Sequence, residues 1–112
     1  MTVEPQGFGF VVGVRPDKRD EYLELHRSVW PTVEAALRAH NIRNYRIYAF
    51  GNVLFAYYEY VGEDYEGDMR RIGADPETQR WLTRTDPCQV RIGEVTDSES
   101  LWQPLEEIWH LQ

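Results

Sequence analysis

The segment that decides the fold is residues 42–60, which reads IRNYRIYAF-GN-VLFAYYEY. It contains two runs rich in β-branched and aromatic residues, Ile42–Phe50 and Val53–Tyr60, separated only by Gly51 and Asn52. A two-residue connection of this composition is typical of a β-hairpin, because both residue types adopt positive φ angles at low cost. The segment therefore predicts two antiparallel strands joined by a tight turn.

The second strand of this hairpin has no polar face. Alternate residues of a strand point to opposite sides, and they form the two sets Leu54, Ala56, Tyr58, Tyr60 and Val53, Phe55, Tyr57, Glu59. Since both sets are largely apolar, we expect both faces of the sheet to be buried. Helices can cover one face, and a second copy of the chain is the simplest cover for the other. The pattern therefore predicts a homodimer.

Upstream of the hairpin lie one strand and one long helical segment. Phe8–Arg15 is a short β-rich run, and a helical pattern extends from Asp17 to about His40. Its apolar side recurs at helical spacing and consists of Tyr22, Leu25, His26, Val29, Trp30, Val33, Ala36 and Leu37. Pro31 removes one main-chain hydrogen bond, so we expect it to kink or split this helix just before it.

Downstream of the hairpin we expect two helical pieces, 64–71 and 76–84, broken near Gly73. Residues 88–103 are polar and mixed and are expected to form a surface loop. Leu105–Leu111 is expected to form the last strand. The order β-α-β-β-α-β predicts a ferredoxin-like α+β sandwich with four antiparallel strands and two helices on one face. A chain of 112 residues has room for one domain, residues 1–112.

Composition excludes several classes of partner. Twelve Lys and Arg against nineteen Asp and Glu give a net charge of −7, and the basic residues do not cluster. We therefore expect no nucleic-acid partner and no anionic membrane partner. No apolar run approaches the ~20 residues of a membrane span, and the first residues lack a signal-peptide pattern, so a cytoplasmic location is expected. Cys88 is the only cysteine, which excludes an intrachain disulfide.

Among the three histidines, His26 is the candidate for chemistry. It falls in mid-helix on the apolar side, one turn after Tyr22 and shortly before the Pro31 kink. His40 ends the helix, where histidine commonly interacts with exposed carbonyls and the helix dipole. His110 could be structural or could line a pocket. Spacing alone leaves a functional His26 and a hydrogen-bonded core His26 equally open.

The sequence offers few other routes to catalysis. It lacks the metal-binding spacings HxH, HxxxH and HExxH, a phosphate-binding glycine loop and a Gly-x-Ser-x-Gly elbow. Cys88 has no basic neighbour in sequence that would activate a thiol. Proton transfer without a cofactor or metal remains, in a pocket rich in aromatic residues. Sugars suit such a pocket, because their C–H faces stack on aromatic rings and their hydroxyls bond to tyrosine.

Several motifs together resemble one family. Tyr22–Pro31, YLELHRSVWP, is similar to the Y-x3-H-x3-W-P signature of the L-rhamnose mutarotases. Asn41–Tyr48, NIRNYRIY, resembles the N-Y-x-I-Y strand of that family. Leu54–Ala56 and Gln79–Trp81 match its L-F-A and Q-R-W motifs, and Leu105–Leu111, LEEIWHL, resembles its E-V-F-Y-L ending. The motifs occur in the family's order over nearly the whole chain.

This resemblance implies a dimeric α+β barrel that interconverts the anomers of a 6-deoxyhexose, L-rhamnose first, without a cofactor. It implies that His26 is the proton donor and that Tyr22 and Tyr45 contact the sugar. It further implies that Trp81 is the first of two adjacent sugar-contacting tryptophans. The second is Leu82 in this chain, so L-fucose is the alternative substrate.

The chemistry implied is acid–base catalysed ring opening. One group removes the proton of the anomeric hydroxyl while another protonates the ring oxygen, and the free aldehyde recloses on either face. Histidine can donate and accept protons near neutral pH. A tyrosine, a bound water or His110 could be its partner. Two other classes stay open: a small monooxygenase with His26 as a haem ligand, and a sugar-binding module without catalysis.

Overall fold

The computed structural model describes residues 4–92 and 100–112. Its central sheet is built on three long antiparallel strands, β1 (Gln6–Val14), β2 (Ile42–Phe50) and β3 (Val53–Tyr60). Strand β3 lies between β2 and β1, so β2 and β3 form the hairpin expected from residues 42–60. Gly51 lies in the turn with a φ of 57°, a conformation that glycine adopts without steric cost. The predicted hairpin and its bounds are confirmed.

Two short strands extend the sheet on the other side of β1. Strand β4 (Gln89–Val90) pairs with the end of β1, and β5 (Gln103–Pro104) pairs antiparallel with its middle. The close approach of β4 requires Gly13, because a Cβ there would lie 2.9 Å from the main-chain oxygen of Val90. The sheet order is therefore β2-β3-β1-β4, with β5 beside β1.

The helix upstream of the hairpin is split where proline predicts. A 3-10 turn at Pro16–Lys18 leads into α1 (Arg19–Arg27), and α2 (Pro31–Ala39) follows after a short break. Trp30, the residue before the proline, has extended backbone angles of −59° and 129°. Proline disfavours helical geometry in the residue that precedes it, so the break before Pro31 is confirmed.

Two helices follow β3, α3 (Tyr65–Ala74) and α4 (Pro76–Thr85). Their boundary lies at Asp75 rather than near Gly73, so the predicted position was two residues early. The carboxylate of Asp75 accepts a hydrogen bond from the main-chain nitrogen of Thr78 at 2.9 Å and caps the start of α4. Gly73 stays helical because a single glycine lowers helix stability by only about 1 kcal/mol relative to alanine.

The helices cover one face of the sheet, and the core lies between them. Two clusters of buried side chains fill this layer, one formed by Val12, Val14, Tyr22, Leu54 and Cys88, the other by Ile42, Tyr58, Tyr60 and Ile72. The opposite face is open in the single chain, with Tyr48, Phe50 and Phe55 all exposed. The α+β class is confirmed, and one of the two predicted buried faces is buried within the chain.

The predicted last strand at Leu105–Leu111 was wrong. The strands in this part of the chain are β4, which falls in the segment expected to be a loop, and β5, which ends at Pro104. Leu105 donates one further main-chain hydrogen bond to Gly9 at 2.8 Å, and beyond it residues 106–112 are exposed and have no strand assignment. An apolar run becomes a strand only where the edge of a sheet pairs with it. Among residues 4–92 and 100–112, no strand pairs with residues 106–112. Part of the predicted loop, residues 93–99, lies outside the described residues.

Candidate active site

The site begins with a contact inside helix α1. The Nδ1 atom of His26 lies 2.9 Å from the main-chain oxygen of Tyr22, and the two rings are 4.2 Å apart between centroids. Because a carbonyl oxygen only accepts hydrogen bonds, Nδ1 carries the hydrogen. The other ring nitrogen, Nε2, therefore has a free lone pair in neutral His26.

Burial sets the charge state of this histidine. Removal from water disfavours the imidazolium and lowers the pKa of His26 below 6.5, and the bond to the Tyr22 carbonyl opposes this in part. Near pH 7 the ring is therefore neutral. A neutral imidazole with one nitrogen occupied and the other free can accept a proton at Nε2 and return it.

Trp81, from helix α4, packs against this histidine. The edge-to-face contact between the rings of His26 and Trp81 has a centroid distance of 5.3 Å and an interplanar angle of 72°. Trp30 packs on Trp81 in the same manner at 5.3 Å, and the Arg80 guanidinium lies 5.6 Å above the Trp30 ring. These contacts hold the buried Trp81 in one orientation beside the imidazole.

A β-bulge positions Tyr45. The pairing of β2 with β3 shifts by one residue between Arg43 and Arg46, and Asn44 has a φ of 51°. The Asn44 side-chain amide donates to the Glu59 carboxylate at 2.6 Å and holds this irregular backbone in place. A bulge re-aims the side chains around it. As a result the Tyr45 ring reaches the helix side of the sheet.

His26, Tyr45 and Trp81 meet at one cavity of about 770 Å³ between the helices and the sheet. Its volume lies within the usual ~300–1,000 Å³ range of small-molecule sites. Most of the remaining wall is apolar or aromatic and includes Val29, Val33, Leu37, Ile42, Ile47, Tyr58, Met69, Ile72, Leu82 and Trp102. Polar and charged residues interrupt it, namely Glu34, Arg38, Arg43, Asn44 and Thr78. The arrangement suits a small ligand with apolar faces and hydroxyl groups.

Tyr22 lies behind His26, away from the described cavity wall. Its side chain is 2% exposed, and its hydroxyl accepts a hydrogen bond from Nε2 of Gln89 at 3.4 Å. Burial raises the pKa of the Tyr22 hydroxyl, so the group is neutral at physiological pH. The structure therefore places three of the four sequence-predicted site residues at the cavity and places Tyr22 beneath one of them.

The other two histidines lie apart from this cavity. His40 ends α2, where its main-chain N–H bonds to the carbonyl of Ala36 at 3.2 Å and its ring lies 3.6 Å from the Asp68 carboxylate. Its position at the helix end is confirmed, and its ring contacts the Asp68 carboxylate. His110 is exposed in the C-terminal tail and is not among the residues that line the cavity.

Cys88 is buried in the core. Its thiol donates a hydrogen bond to the Glu21 carboxylate at 3.2 Å. Burial is the larger cause, and this hydrogen bond the next, of a rise in the thiol pKa to about 11. The group is therefore a protonated thiol at neutral pH and a poor nucleophile. Within residues 4–92 and 100–112, no three His, Cys, Asp or Glu side chains group together as metal ligands. No helix in the same ranges has the length and apolar character to cross a membrane.

Sequence reasoning missed part of the cavity wall. Ile47 and Tyr58 face the cavity, and the alternation of apolar residues along the two hairpin strands could have indicated them. Asn44 could have been suspected as a bulge residue, because asparagine tolerates positive φ. Trp102 lies in a segment read as a loop, so no periodic pattern indicated its position.

The fold and the site together define a small α+β protein with a partly buried, neutral histidine on the wall of an aromatic cavity. The family model described as L-rhamnose mutarotase matches residues 7–111 of this chain. An L-rhamnose mutarotase of Shigella flexneri serotype 5b is 31% identical over 107 residues, covering 91% of this chain and 94% of that protein. One of Oceanobacillus iheyensis is 30% identical over 105 residues, covering 92% and 95%. The chain belongs to the L-rhamnose mutarotase family, a family of isomerases.

Solved structures show the same fold. An L-rhamnose mutarotase from Formosa agariphila superposes with a TM-score of 0.70 at 20% identity, covering 96% of this chain and 99% of that one. The tetracenomycin F2 cyclase of Streptomyces glaucescens, a polyketide cyclase, superposes with a TM-score of 0.64 at 14% identity and the same coverage. Because these two proteins carry different activities on one architecture, the fold alone does not define the reaction.

Proposed function

We propose that this protein interconverts the α and β anomers of a 6-deoxyhexose, L-rhamnose in the first place, by acid–base catalysed opening of the sugar ring. The observation that carries the proposal is His26, whose Nδ1 is held by the Tyr22 carbonyl while its ring lies on the wall of an aromatic cavity. Membership of the L-rhamnose mutarotase family supports this substrate class.

The reaction needs only proton transfers and one bond rearrangement in the sugar. Neutral His26 accepts the anomeric hydroxyl proton at Nε2 as the bond between the anomeric carbon and the ring oxygen breaks. A second group gives the ring oxygen a proton, and the open aldehyde rotates about its first carbon–carbon bond. When the ring closes on the other face, His26 returns its proton to the anomeric oxygen and the ring oxygen gives its proton back to the second group. No cofactor or metal takes part in this scheme, and a positioned acid–base group contributes roughly 10²–10⁴-fold.

The resemblance implied that His26 is the proton donor, but a neutral ring whose Nε2 can accept a proton favours the role of base. The proton donor that works with it then belongs to the cavity. Two residues that the sequence left as candidate partners of His26 are placed elsewhere. The Tyr22 hydroxyl is hydrogen-bonded to Gln89, and His110 lies in the exposed tail. Tyr45 is on the cavity wall with its ring 5.3 Å from that of Tyr58. We assign the role to the Tyr45 hydroxyl or to a water bound beside it.

The cavity wall supports a deoxy sugar over a fully hydroxylated one. Apolar C–H faces and a methyl group are accommodated by the Trp81 ring and the aliphatic residues around it. Leu82, next to Trp81, is 39% exposed and also lines the cavity, and it supplies neither a ring nor a hydrogen-bond donor. L-fucose, which is also a 6-deoxyhexose, is the second candidate substrate for this reason.

We further propose that the protein acts as a homodimer that covers the open face of the sheet. Phe50 is 81% exposed and lies on this face near Tyr48 and Phe55. The tail adds Ile108 and Trp109, both largely exposed. A contiguous apolar surface of this kind marks an interface in soluble proteins, and a two-fold dimer is the commonest way to cover it.

Saturation-transfer NMR of the anomeric protons tests the catalytic proposal with a panel of L-rhamnose, L-fucose and common hexoses. We expect the protein to accelerate anomer exchange of L-rhamnose most and to lose the acceleration in a His26→Gln variant. Sugar binding without faster exchange would instead identify a non-catalytic sugar-binding module. A preparation that copurifies with haem would favour the oxygenase class.

A further inference from the structure

Trp102 lines the cavity, and the proposed mechanism gives this large aromatic residue no role. It lines the same cavity as His26, Tyr45 and Trp81 and is only partly buried. Tryptophan is so large that it is rarely buried completely, so the position of the exposed part of its ring matters more than partial burial itself. Here one part of the ring packs on the core while another part borders empty space.

The main chain around Trp102 is fixed on both sides. The next residue, Gln103, pairs with Val11 in strand β1, and its side-chain oxygen accepts a hydrogen bond from the main-chain nitrogen of Ile92 at 3.0 Å. On the other side, the hydroxyl of Ser100 donates to the main-chain oxygen of Trp102 at 3.1 Å. The ring is therefore presented to the cavity from a paired strand and not from the exposed tail.

The packing of Trp102 associates it with the core cluster that also supports His26. Trp102 and Ile47 both pack against the buried cluster that contains Tyr22. Both residues also line the cavity. The Tyr22 ring in turn lies 4.2 Å from the ring of His26. The second cluster and its neighbours contribute another part of the lining, Leu37, Ile42, Tyr58, Met69 and Ile72.

Two tryptophans thus line the cavity from different parts of the fold, and one of them, Trp81, contacts His26. Trp81 comes from helix α4, and Trp102 comes from the edge of the sheet beside β1. A six-membered sugar ring has a C–H surface on each side and hydroxyls around its rim, and the space between the helix and the sheet would hold such a ring. Such a ring needs apolar contact on more than one side to be held in a single orientation.

We propose that Trp102 is a sugar-binding residue, which packs on the C–H surface of the deoxyhexose and turns its anomeric carbon toward His26. This inference rests on the proposed function, since it assigns a further contact in the same cavity. It places substrate recognition on the residue that precedes β5 as well as on the helices. It also supplies an aromatic surface in a chain where Leu82 provides none.

The test compares Trp102→Leu and Trp102→Phe with Leu101→Ala. Leu101 packs against the same core cluster but is not among the residues that line the cavity, so its truncation reproduces the loss of core packing alone. Trp102→Leu keeps an apolar side chain and removes the ring. Trp102→Phe keeps a smaller ring and serves as the rescue.

For each variant, the anomer exchange rate is measured against L-rhamnose concentration, and the Kd is measured independently from amide chemical shifts during a sugar titration. We expect Trp102→Leu to raise both KM and Kd about tenfold with kcat changed less than about threefold, as the loss of one aromatic contact predicts. Trp102→Phe should recover most of the affinity. Leu101→Ala should lower the melting temperature and leave KM and Kd unchanged.

The two readouts separate this inference from the proposed function. If the wild-type protein binds L-rhamnose without accelerating exchange, and Trp102→Leu still weakens Kd, the mutarotase proposal fails and the binding role stands. If exchange is normal but KM and Kd of Trp102→Leu equal those of the wild type, the binding role fails alone. Equal loss of affinity in Leu101→Ala and Trp102→Leu would show that Trp102 acts only in core packing. A wild-type protein that neither binds L-rhamnose nor accelerates its exchange would overturn both the binding role and the mutarotase proposal.

Discussion

The imidazole of His26 is hydrogen-bonded through Nδ1 to the main-chain carbonyl of Tyr22, one turn earlier in the same helix, at 2.9 Å. The bond assigns the ring hydrogen to Nδ1 and leaves Nε2 as the nitrogen that exchanges protons. Local helix geometry therefore determines the tautomer of the residue proposed to carry the chemistry.

Replacing His26 should remove most of the catalysed anomer exchange. His26→Gln retains an amide that can bond to the Tyr22 carbonyl but has no group that titrates near neutral pH. We expect exchange to fall roughly 10²–10⁴-fold while the melting temperature stays close to that of the wild type. Saturation-transfer NMR and thermal unfolding on the same sample check this. His40→Gln, outside the cavity, is the control, and near wild-type exchange in folded His26→Gln would end the mechanism.

The exchange rate should depend on the protonation of His26. The pKa of His26 is lowered by burial, so the neutral form that accepts a proton predominates at pH 7. The catalysed rate should therefore stay level near neutrality and fall as the pH drops through a value below 6.5. The rate profile should follow the NMR titration of the His26 ring, and the His26→Gln profile should be flat. A rate that rises as His26 becomes protonated would show that the imidazolium acts first, as an acid.

Tyr22→Phe should affect stability more than turnover. The variant keeps the ring against His26 and removes the hydroxyl that accepts a hydrogen bond from buried Gln89. Leaving that amide without this partner should lower the free energy of unfolding by about 1–3 kcal/mol. Exchange should fall much less than in His26→Gln. Denaturant unfolding and saturation transfer measure the two effects, and a loss of exchange as large as that of His26→Gln would instead place the hydroxyl in the reaction.

Leu82→Trp should change the choice of sugar. Leu82 lines the cavity beside Trp81, so an indole there adds a stacking surface and one hydrogen-bond donor. We expect the ratio of kcat/KM for L-rhamnose to that for L-fucose to rise. Leu82→Met, which changes the side chain without adding a ring, is the matched control. An unchanged ratio in Leu82→Trp would mean that this position does not set specificity.

A charge on the open sheet face should break the proposed dimer. Phe55 is exposed on β3, opposite Tyr48 in the pairing of β2 with β3, and Phe55→Asp would bury a carboxylate in the interface. Analytical ultracentrifugation should give a dimer for the wild type and a folded monomer for the variant. Ala35→Lys, on the exposed side of α2, should remain dimeric. A wild-type protein that sediments as a monomer at micromolar concentration would contradict the dimer.

The prediction of the fold succeeded where a pattern is local. The Gly51–Asn52 turn and the Pro31 break act on their nearest neighbours, and both were found where the sequence places them. The tail at 105–111 shows the limit of such reasoning. Its residues resemble a strand, but pairing needs an edge elsewhere in the fold, and β1 is paired with β4 and β5 instead.

By itself the sequence determined the elements from the first strand to the helices that follow the hairpin. It also determined the family and the position of His26 one turn after Tyr22. These features follow from the sequence because turn geometry, proline and helical spacing act over a few residues. Only the tertiary structure decided that Tyr22 lies behind the histidine, that a bulge at Asn44 turns Tyr45 toward the helices, and that Trp102 reaches the same cavity. These outcomes depend on strand register and on contacts between residues distant in sequence. Packing selects those contacts only when the whole sheet and its helices are assembled.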